Sequence, residues 1–363
     1  MDTYKTKIAI ITTSLASGGA ERSSASLSVL LYNLGFDVHV VTVLDEIEFE
    51  FKGKLLNLGL LKNKDDSFFG RFKRLIVFKK YLKANNFDWI IDNRVCTSTW
   101  SEYIISRFIY NPKKVINVIH SFKIENYFPK NEFIARRIYK DSPFIIAVSK
   151  EIKDAIQNKF GYKNVQTIYN SIDKNGLVQL SDKETIEGKF ILAYGRIDDD
   201  VKNYSLLIEA YSQSILPEKN IPLYLLGDGK DVEKLKRKVA ELNLADKIIF
   251  KPKLTNPFPY VKAALFTTLT SKYEGFPMVI IESLALGTPV ISVDCNSGPK
   301  EVIVNEQNGL LVENFNSAAL AKAMNRFVEE ADLYANCKDN ALNSIEHLSI
   351  ETIAKQWKQI LAI

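Results

Sequence analysis

Short apolar runs alternate with segments of helical periodicity along the 363-residue chain. The runs have the length and β-branched content of buried strands, whereas the segments between them repeat apolar residues every three to four positions. The predicted strands are 7–13, 37–43, 87–92, 114–120, 143–148 and 165–169 in the first half and 189–195, 222–227, 247–251, 264–269 and 289–294 in the second. The predicted helices are 20–34, 72–84, 98–109, 150–160, 203–214, 231–243, 277–286 and 316–329. This alternation predicts an α/β protein with parallel sheets covered by helices on both faces.

A polar stretch at residues 170–189 interrupts this rhythm, and the alternation restarts after it. We therefore predict two Rossmann-like domains, residues 1–176 and 177–346, with a helix within 347–363 that packs back on the first. Ligands of open α/β sheets bind beyond the carboxyl ends of the strands. The two domains are thus expected to face a central cleft, with the site in loops that follow strands.

Composition fits a soluble protein of a reducing compartment. Apolar residues make up 46% of the chain and charged residues 25%, which is ordinary for globular proteins. The cysteines Cys96, Cys295 and Cys337 lie far apart and match no zinc or redox spacing. The first apolar run is too short for a signal peptide, and no stretch reaches the length of a transmembrane helix. We therefore expect a cytoplasmic location.

The net charge of +5 conceals an asymmetry between the halves. Residues 1–180 carry 27 basic and 18 acidic side chains, a balance of +9, whereas residues 181–363 carry 21 and 25, a balance of −4. Within the first half, residues 51–150 hold 20 basic against 8 acidic side chains, or +12. An anionic partner is expected for this half, and nucleic acid, a membrane face and a diphosphate substrate are the candidates.

Two glutamates, Glu274 and Glu282, stand among apolar residues in the stretch YEGFPMVIIESLALGTPVIS, which spans residues 273–292. Pro277 is suited to the first position of a short apolar helix, which places Glu282 on its second turn and Glu274 in the loop before it. Carboxylates suit sugar hydroxyls, and the bare N–H groups of a helix N-terminus suit phosphate. The alternative is that both glutamates are incidental.

Two glycines and two cations follow predicted strands. Gly18 and Gly19 precede the first helix, where they allow close backbone approach to a phosphate or simply form a tight turn. Arg196 follows the strand 189–195, and Lys202 stands at the expected start of the next helix, where a cation is unfavourable unless an anion is also present. Together these two cations suit a diphosphate.

Three further positions are candidates at strand ends. His120 ends the strand 114–120 over the expected cleft, where a functional histidine and a structural one are equally plausible. Asp92 and Arg94 end the preceding strand and are weaker candidates. The run Asp198–Asp200 is read as a solvated loop rather than a Mg²⁺ site, because three consecutive side chains do not easily converge on one ion. No metal site is expected.

The combination of Arg196, Lys202, Glu274 and Glu282 in the second α/β domain resembles the retaining GT-B glycosyltransferases of family 4, with their E-x7-E motif. Four other segments are similar to motifs of that family: SGGAER (17–22), VSKEI (148–152), LLGDGKDVEKLK (225–236) and SGPKEVI (297–303). The resemblance covers about residues 5–330. One departure is Ser171, where the family usually has glycine, and it bears on local backbone geometry.

The resemblance implies roles for the site residues. Glu282 would hold the ribose of a nucleotide sugar and Glu274 the donor hexose. Arg196 and Lys202 would neutralise the diphosphate, and His120 would lie near the reacting centre. The remaining donor contacts would come from Gly18, Gly19, Gly275, Phe276 and Pro277, with the base against backbone near Lys251.

The resemblance also implies a metal-independent reaction with retention of configuration and no cofactor. We expect transfer of a hexose or N-acetylhexosamine, with UDP as the favoured nucleotide, to a saccharide acceptor in surface polysaccharide or glycan assembly. Polyprenyl-diphosphate-linked glycans are one class of acceptor, and Asp92 and Arg94 are acceptor candidates.

Residues 68–86 interleave aromatic residues with cations, which are Arg71, Lys73, Arg74, Lys79, Lys80 and Lys83. Such a basic amphipathic helix suits an anionic membrane surface, so a peripheral position on the inner face of the cytoplasmic membrane is one expectation. An ordinary solvated face is the alternative. Nucleic acid is not expected, because no nucleic-acid module is recognisable.

Two other functions use the same donor site. A sugar-nucleotide 2-epimerase would need no acceptor, and a non-catalytic sugar-nucleotide-binding subunit would not need so complete a set of charged residues. A nicotinamide dehydrogenase is disfavoured by the glycine pattern.

Overall fold

The structure, a computed structural model, describes residues 5–16 and 18–361. Ser17, the first residue of the SGGAER segment, lies outside the described residues, as do residues 1–4 and 362–363 of the first predicted domain. The chain divides into two compact units, one formed by residues up to 171 together with 350 onward, the other by residues 172–349. The observed boundary after Ser171 therefore falls slightly before the predicted one.

Unit 1 contains a sheet of seven parallel strands in the order β3-β2-β1-β4-β5-β6-β7. Its strands are β1 (Lys7–Thr12), β2 (Asp37–Thr42), β3 (Lys54–Asn57), β4 (Trp89–Asp92), β5 (Val115–Ile119), β6 (Phe144–Ala147) and β7 (Val165–Thr167). Strand β3 was not predicted. It is an edge strand of four half-exposed residues, so it lacks the apolar run that marks the buried strands.

Helices connect most of the successive strands of this sheet. They are α1 (Gly19–Asn33), α2 (Gly59–Lys64), α3 (Phe68–Asn85), α4 (Thr99–Ile104), α5 (Glu132–Tyr139) and α6 (Lys150–Phe160). The helix predicted at 98–109 is α4 followed by a π-helical turn, Ile105–Ile109. Short 3₁₀ turns lie at Pro112–Lys114 and Ile124–Asn126.

Unit 2 contains six parallel strands in the order β10-β9-β8-β11-β12-β13. They are β8 (Ile191–Tyr194), β9 (Leu223–Leu226), β10 (Ile248–Lys251), β11 (Thr267–Leu269), β12 (Val290–Val293) and β13 (Gly309–Val312). Strand β13 was not predicted, because its four residues are bracketed by polar turns. In both units the first strand lies at the centre, with the second on one side and the fourth on the other, so each sheet has a switch point.

The helices of unit 2 are α7 (Lys174–Ser181), α8 (Asp199–Lys202), α9 (Tyr204–Gln213), α10 (Val232–Glu241), α11 (Phe258–Ala263), α12 (Met278–Ala285), α13 (Pro299–Val302), α14 (Ser317–Glu329) and α15 (Ala331–Ser344), followed by a 3₁₀ turn at Glu346–Leu348. The predicted helix 203–214 is preceded by α8, and Asn203, with φ of 52°, separates the two.

The last helix, α16 (Ile350–Leu361), belongs to unit 1 and packs against α1. It buries Ile353, Trp357 and Ile360. Among the helices in residues 5–16 and 18–361, none combines the length and apolarity needed to cross a membrane.

Candidate functional site

An ion pair between Lys202 and Glu274 lies at the switch point of unit 2. Strands β8 and β11 are neighbours there, and the chain that leaves each one supplies one partner. The Nζ atom of Lys202 lies 2.7 Å from Oε1 of Glu274, which also accepts a hydrogen bond of 2.6 Å from the Ser271 hydroxyl. Only 12% of the Glu274 side chain and 23% of the Lys202 side chain are exposed. The crevice where a ligand of this sheet would bind is therefore lined by a partly buried charged pair.

Hydrogen bonds to the backbone hold the two loops of this pair together. The Thr270 hydroxyl donates to the Lys202 carbonyl over 2.9 Å, and the Lys272 N–H donates to the Val201 carbonyl over 2.8 Å. Lys202 is the last residue of α8, not the first of a helix. Lys202 also directly precedes Asn203, the N-cap of α9, so it stands at the start of the predicted helix as expected. The last turn of α8 makes a cation at this position favourable as well.

Arg196 lies two residues after the end of β8 and is largely solvated. Its side chain is 61% exposed, and its guanidinium lies 3.8 Å from an oxygen of Asp198. A long cation held this weakly can turn toward an incoming anion at little cost.

Glu282 is almost fully buried on α12, with 2% exposure. The Tyr194 hydroxyl donates to its Oε2 over 2.9 Å and also lies 3.1 Å from the Val279 carbonyl. Sequence reasoning missed Tyr194, because a tyrosine at the end of an apolar strand resembles any other core residue. This tyrosine fixes one oxygen of Glu282.

The loop before α12 is held against the loop after β12. The Ser297 hydroxyl donates to the Gly275 carbonyl over 2.6 Å, and a Cβ atom on Gly298 would stand 2.2 Å from Cδ of Pro277. Phe276 is buried in this loop. Pro277 is the cap residue of α12 rather than its first residue, a small correction to the prediction.

An acidic cluster lies next to Arg196. Carboxylate oxygens of Asp198, Asp200 and Asp231 approach within 4.8 Å of one another, so two of the three consecutive aspartates meet a carboxylate from another loop. Asp199 instead turns away to Ser205 and Lys234.

The Nζ atom of Lys230 lies 2.6 Å from Asp200 and 3.3 Å from Asp198. These carboxylates therefore already have a cation from the chain itself.

Lys251, at the end of β10, is placed by two aromatic rings. Its Nζ atom lies 4.8 Å from the centre of the Tyr224 ring and 5.2 Å from that of Tyr260. Contact between its backbone and a nucleotide base stays a prediction.

In unit 1 the predicted residues lie at the carboxyl ends of neighbouring strands. Gly18 precedes α1 in an extended conformation and makes no side-chain cap, and Gly19 is the first residue of α1. A Cβ atom on Gly18 would collide with the Glu21 carboxylate at 1.9 Å, whereas one on Gly19 would meet nothing within 4 Å. Gly18, at the N-cap position of α1, therefore makes no side-chain hydrogen bond to the N–H groups of the first turn.

His120 and Asn93 form a pair at the ends of β5 and β4. Nε2 of His120 lies 2.8 Å from Oδ1 of Asn93, an arrangement in which neutral His120 donates from Nε2. Burial lowers the pKa of His120 to about 4, so the ring is neutral near pH 7. Within residues 5–16 and 18–361, Nδ1 of His120 and Nδ2 of Asn93 are buried without a hydrogen-bond partner. Within the described residues this pair thus has an acceptor atom and a donor group that no other side chain or backbone group engages.

Asp92 and Arg94 bind each other. The Arg94 guanidinium makes bonds of 3.0 and 2.7 Å to the two oxygens of Asp92 and one of 3.2 Å to Glu102, and the Tyr110 hydroxyl donates to Asp92 over 2.9 Å. Burial raises the pKa of the Glu102 carboxyl. This buried network fixes the backbone on either side of Asn93, and a role in acceptor binding stays a prediction.

The six cations of residues 68–86 separate into two groups. Arg74 donates to Asp66 over 2.7 Å and to the Asp65 carbonyl, and Arg71 lies 3.6 Å from Asp66. The lysines are exposed on α3; they are Lys73, Lys79, Lys80 and Lys83. The expected basic face is therefore mainly a lysine face, because the helix N-terminal loop engages the arginines.

Family models match both halves of the chain. The model described as "Glycosyl transferases group 1" matches residues 180–344, and the model "Glycosyltransferase Family 4" matches residues 17–175. Together they span the regions that contain every site residue discussed above.

One similar protein matches nearly the whole chain, and another matches half of it. The chain is 30% identical over 348 residues to the N-acetylgalactosamine-N,N'-diacetylbacillosaminyl-diphospho-undecaprenol 4-alpha-N-acetylgalactosaminyltransferase of Campylobacter jejuni, covering 92% of this chain and 93% of that protein. It is also 30% identical over 188 residues to the lipopolysaccharide 1,6-galactosyltransferase of Escherichia coli, covering 50% of this chain and 52% of the relative.

Solved structures share the fold. Anabaena HepE in complex with UDP and glucose aligns with a TM-score of 0.78 at 20% identity, covering 98% of this chain and 99% of the other. Staphylococcus aureus TarM aligns with a TM-score of 0.80 at 16% identity, covering 100% and 99%. The predicted α/β GT-B fold and family are confirmed, and the chain belongs to the group 1 glycosyltransferases.

Proposed function

We propose that this transferase moves a hexose or N-acetylhexosamine from a UDP-sugar to a saccharide carried on a polyprenyl diphosphate, with retention of configuration and without a metal ion. The Lys202–Glu274 pair at the switch point of unit 2 carries the proposal, because it sets a cation for a phosphate beside a carboxylate for a sugar. The names of relatives support the substrates: the Campylobacter protein acts on a diphospho-undecaprenol-linked saccharide, and HepE was crystallised with UDP and glucose.

The reaction requires stabilisation of the negative charge that develops on the leaving phosphate. As the bond between the anomeric carbon and the β-phosphate oxygen breaks, negative charge grows on the phosphate and the sugar becomes oxocarbenium-like. Lys202 and Arg196 stabilise the phosphate charge, assisted by the N–H groups before α12. The acceptor oxygen bonds to the anomeric carbon from the same face, and its proton passes to the leaving phosphate oxygen.

The donor's other parts have their own partners. Glu282 accepts hydrogen bonds from the ribose hydroxyls. Glu274 contacts the hexose, and His120 accepts a hydrogen bond from a substrate hydroxyl at Nδ1. The enzyme works at the cytoplasmic face of the membrane, where a polyprenyl-linked acceptor is anchored.

Turnover with defined substrates tests the proposal. We expect UDP-sugars to raise the unfolding temperature more than GDP- or dTDP-sugars. An α-linked UDP-sugar should be consumed only when a polyprenyl-diphosphate saccharide is present, to give an α-linked product, with the same rate in EDTA. Lys202→Ala should abolish turnover, whereas Lys322→Ala, an exposed lysine of the same unit, should not.

Three results would contradict the proposal. Conversion of the donor to its 2-epimer without an acceptor would identify an epimerase. A β-linked product would exclude retention. Loss of activity in EDTA that Mn²⁺ or Mg²⁺ restores would show a metal requirement and direct attention to the cluster of Asp198, Asp200 and Asp231.

A further inference from the structure

Large apolar side chains are concentrated on the outward faces of two helical segments in unit 1. In α3 they are Phe68, Phe69 and Phe72, and in α4 and the π-helical turn they are Trp100, Ile104 and Phe108; we call these six residues the aromatic surface. The side chains of Phe69 and Trp100 are 80% and 75% exposed. Exposed apolar side chains that occur singly are ordinary, but a cluster of this size marks an interaction site.

The two segments face outward together because they share one core. On its inner side α3 buries Phe78 and Leu82, and these pack in the same cluster as Ile105 and Tyr110. The rings of Phe78 and Tyr110 meet edge to face, with centroids 5.9 Å apart. Since both inner faces point into this core, the opposite faces point away from it.

Helical spacing orders the side chains on these outward faces. Phe68, Phe72 and Ile76 follow one another four residues apart along α3, and Lys79 and Lys83 continue the same row. Trp100, Ile104 and Phe108 form a second row with the same spacing. The face of α3 is thus apolar in its first half and cationic in its second.

We propose that the aromatic surface inserts into the headgroup region of an anionic phospholipid bilayer, with the α3 lysines against the lipid phosphates. Aromatic and aliphatic side chains enter the boundary between headgroups and acyl chains, and lysines are attracted to anionic lipid. This inference deepens the peripheral membrane location that the proposed function includes, and it adds an apolar anchor to the basic face expected from the sequence.

Charge favours a bilayer over a second copy of the chain. A two-fold interface through this surface would bring the lysine rows of both copies near each other, where like charges repel. Residues 51–150, which contain both segments, carry 20 basic and 8 acidic side chains, a balance of +12. An anionic surface complements both the lysines and this balance.

An apolar anchor predicts a specific salt dependence. Attraction between lysines and lipid is screened over about 8–10 Å at physiological salt, whereas burial of aromatic rings is not screened. Binding should therefore weaken with salt but not vanish. High salt would instead abolish the binding if adsorption were purely electrostatic.

Trp100 provides an intrinsic probe. Of the three tryptophans, Trp89 and Trp357 are buried in the fold, and Trp100 is exposed. Vesicles of phosphatidylcholine with phosphatidylglycerol should shift the tryptophan emission of the full chain to shorter wavelength, also at high salt. Trp100→Phe should lose the shift but still sediment with the vesicles.

Matched variants separate the two contributions. Phe69→Ser with Phe72→Ser should weaken sedimentation about tenfold or more at any salt concentration. Lys79→Gln with Lys80→Gln should weaken it roughly fivefold per lysine at low salt and by less at high salt. Phe315→Ser, which alters an exposed phenylalanine of unit 2, should change nothing.

Three outcomes would overturn the inference. In the first, the protein sediments with vesicles at low salt only and its tryptophan emission does not shift. In the second, it does not sediment with vesicles at all. In the third, the emission shifts with protein concentration in the absence of lipid. The last would identify a second copy as the partner. None of these measurements needs turnover. Their results are therefore independent of whether the proposed transferase reaction is correct.

Discussion

At the scale of residues, the two glutamates of the stretch 273–292 differ in what they contact. Glu282 is buried and fixed by Tyr194, whereas Glu274 is paired with Lys202. A ribose is the same before and after the reaction, so the contact proposed for Glu282 contributes uniform binding. A hexose changes shape as it becomes oxocarbenium-like, so the contact proposed for Glu274 can act on the transition state.

We therefore expect the conservative substitutions Glu282→Gln and Glu274→Gln to change different kinetic constants. A hydrogen bond to a charged group is worth about 1.5–3 kcal/mol, or roughly 10- to 100-fold. Glu282→Gln should raise the donor KM and weaken UDP by about this factor. Glu274→Gln should lower kcat by about this factor and leave UDP binding nearly unchanged, since it leaves the Lys202 charge free for phosphate.

Calorimetry with UDP on both variants is the deciding measurement. Glu241→Gln, at an exposed position on α10, serves as the control, and Tyr194→Phe shows how much of the Glu282 effect depends on its fixed position. If Glu274→Gln loses UDP affinity and Glu282→Gln keeps it, the two roles are reversed.

At the scale of elements, short loops between strand and helix determine the shape of the candidate site. The loop before α12 is packed so closely on Gly298 that no other residue fits there without movement of Pro277. Gly298 also has φ of +104°, a conformation that strains any side-chain-bearing residue. The position of the N–H groups before α12 therefore depends on a glycine in a different loop.

Gly298→Ala should consequently weaken UDP binding as well as lower stability. Gly188→Ala is the matched control, because Gly188 has φ of +100° but a Cβ atom there would meet nothing within 4 Å. Both variants should lose about 1–2 kcal/mol from backbone strain, measured by urea unfolding. Only Gly298→Ala should also raise the Kd for UDP; equal UDP affinity in both variants would contradict this packing argument.

At the scale of the whole molecule, the C-terminal helix is an integral part of unit 1. Helix α16 lies far from unit 1 in sequence, yet Trp357 is 4% exposed within that unit. Loss of a buried tryptophan side chain typically costs about 3–5 kcal/mol. Helix α16 thus contributes to the core of unit 1, where it packs against α1.

Trp357→Ala should therefore destabilise unit 1 selectively. Native-state hydrogen exchange should show faster exchange in β1 and α1, with unchanged protection of β8 and β9. Lys358→Ala, an exposed neighbour on the same helix, should have no such effect. Equal loss of protection in both units would contradict the assignment of α16 to unit 1 alone.

The sequence by itself determined the fold class, the family and the order of most elements. Buried strands such as β1 and β8 are nearly continuous apolar runs, and such runs can be recognised from the sequence alone. The edge strands β3 and β13 were missed, because their apolar runs of two and three residues are too short to indicate a strand. The charged residues at strand ends could be named, since parallel sheets bring those ends to one edge.

Only the tertiary structure decided which partners these residues have. Lys202 and Glu274 are 72 residues apart, and their pairing depends on β8 and β11 being neighbours in the sheet. The same holds for Tyr194 beside Glu282, for Asn93 beside His120, and for the packing of α3 and the π-helical turn into one core. Local sequence patterns record burial and periodicity, whereas these contacts arise from sheet order and helix packing, which no local pattern encodes.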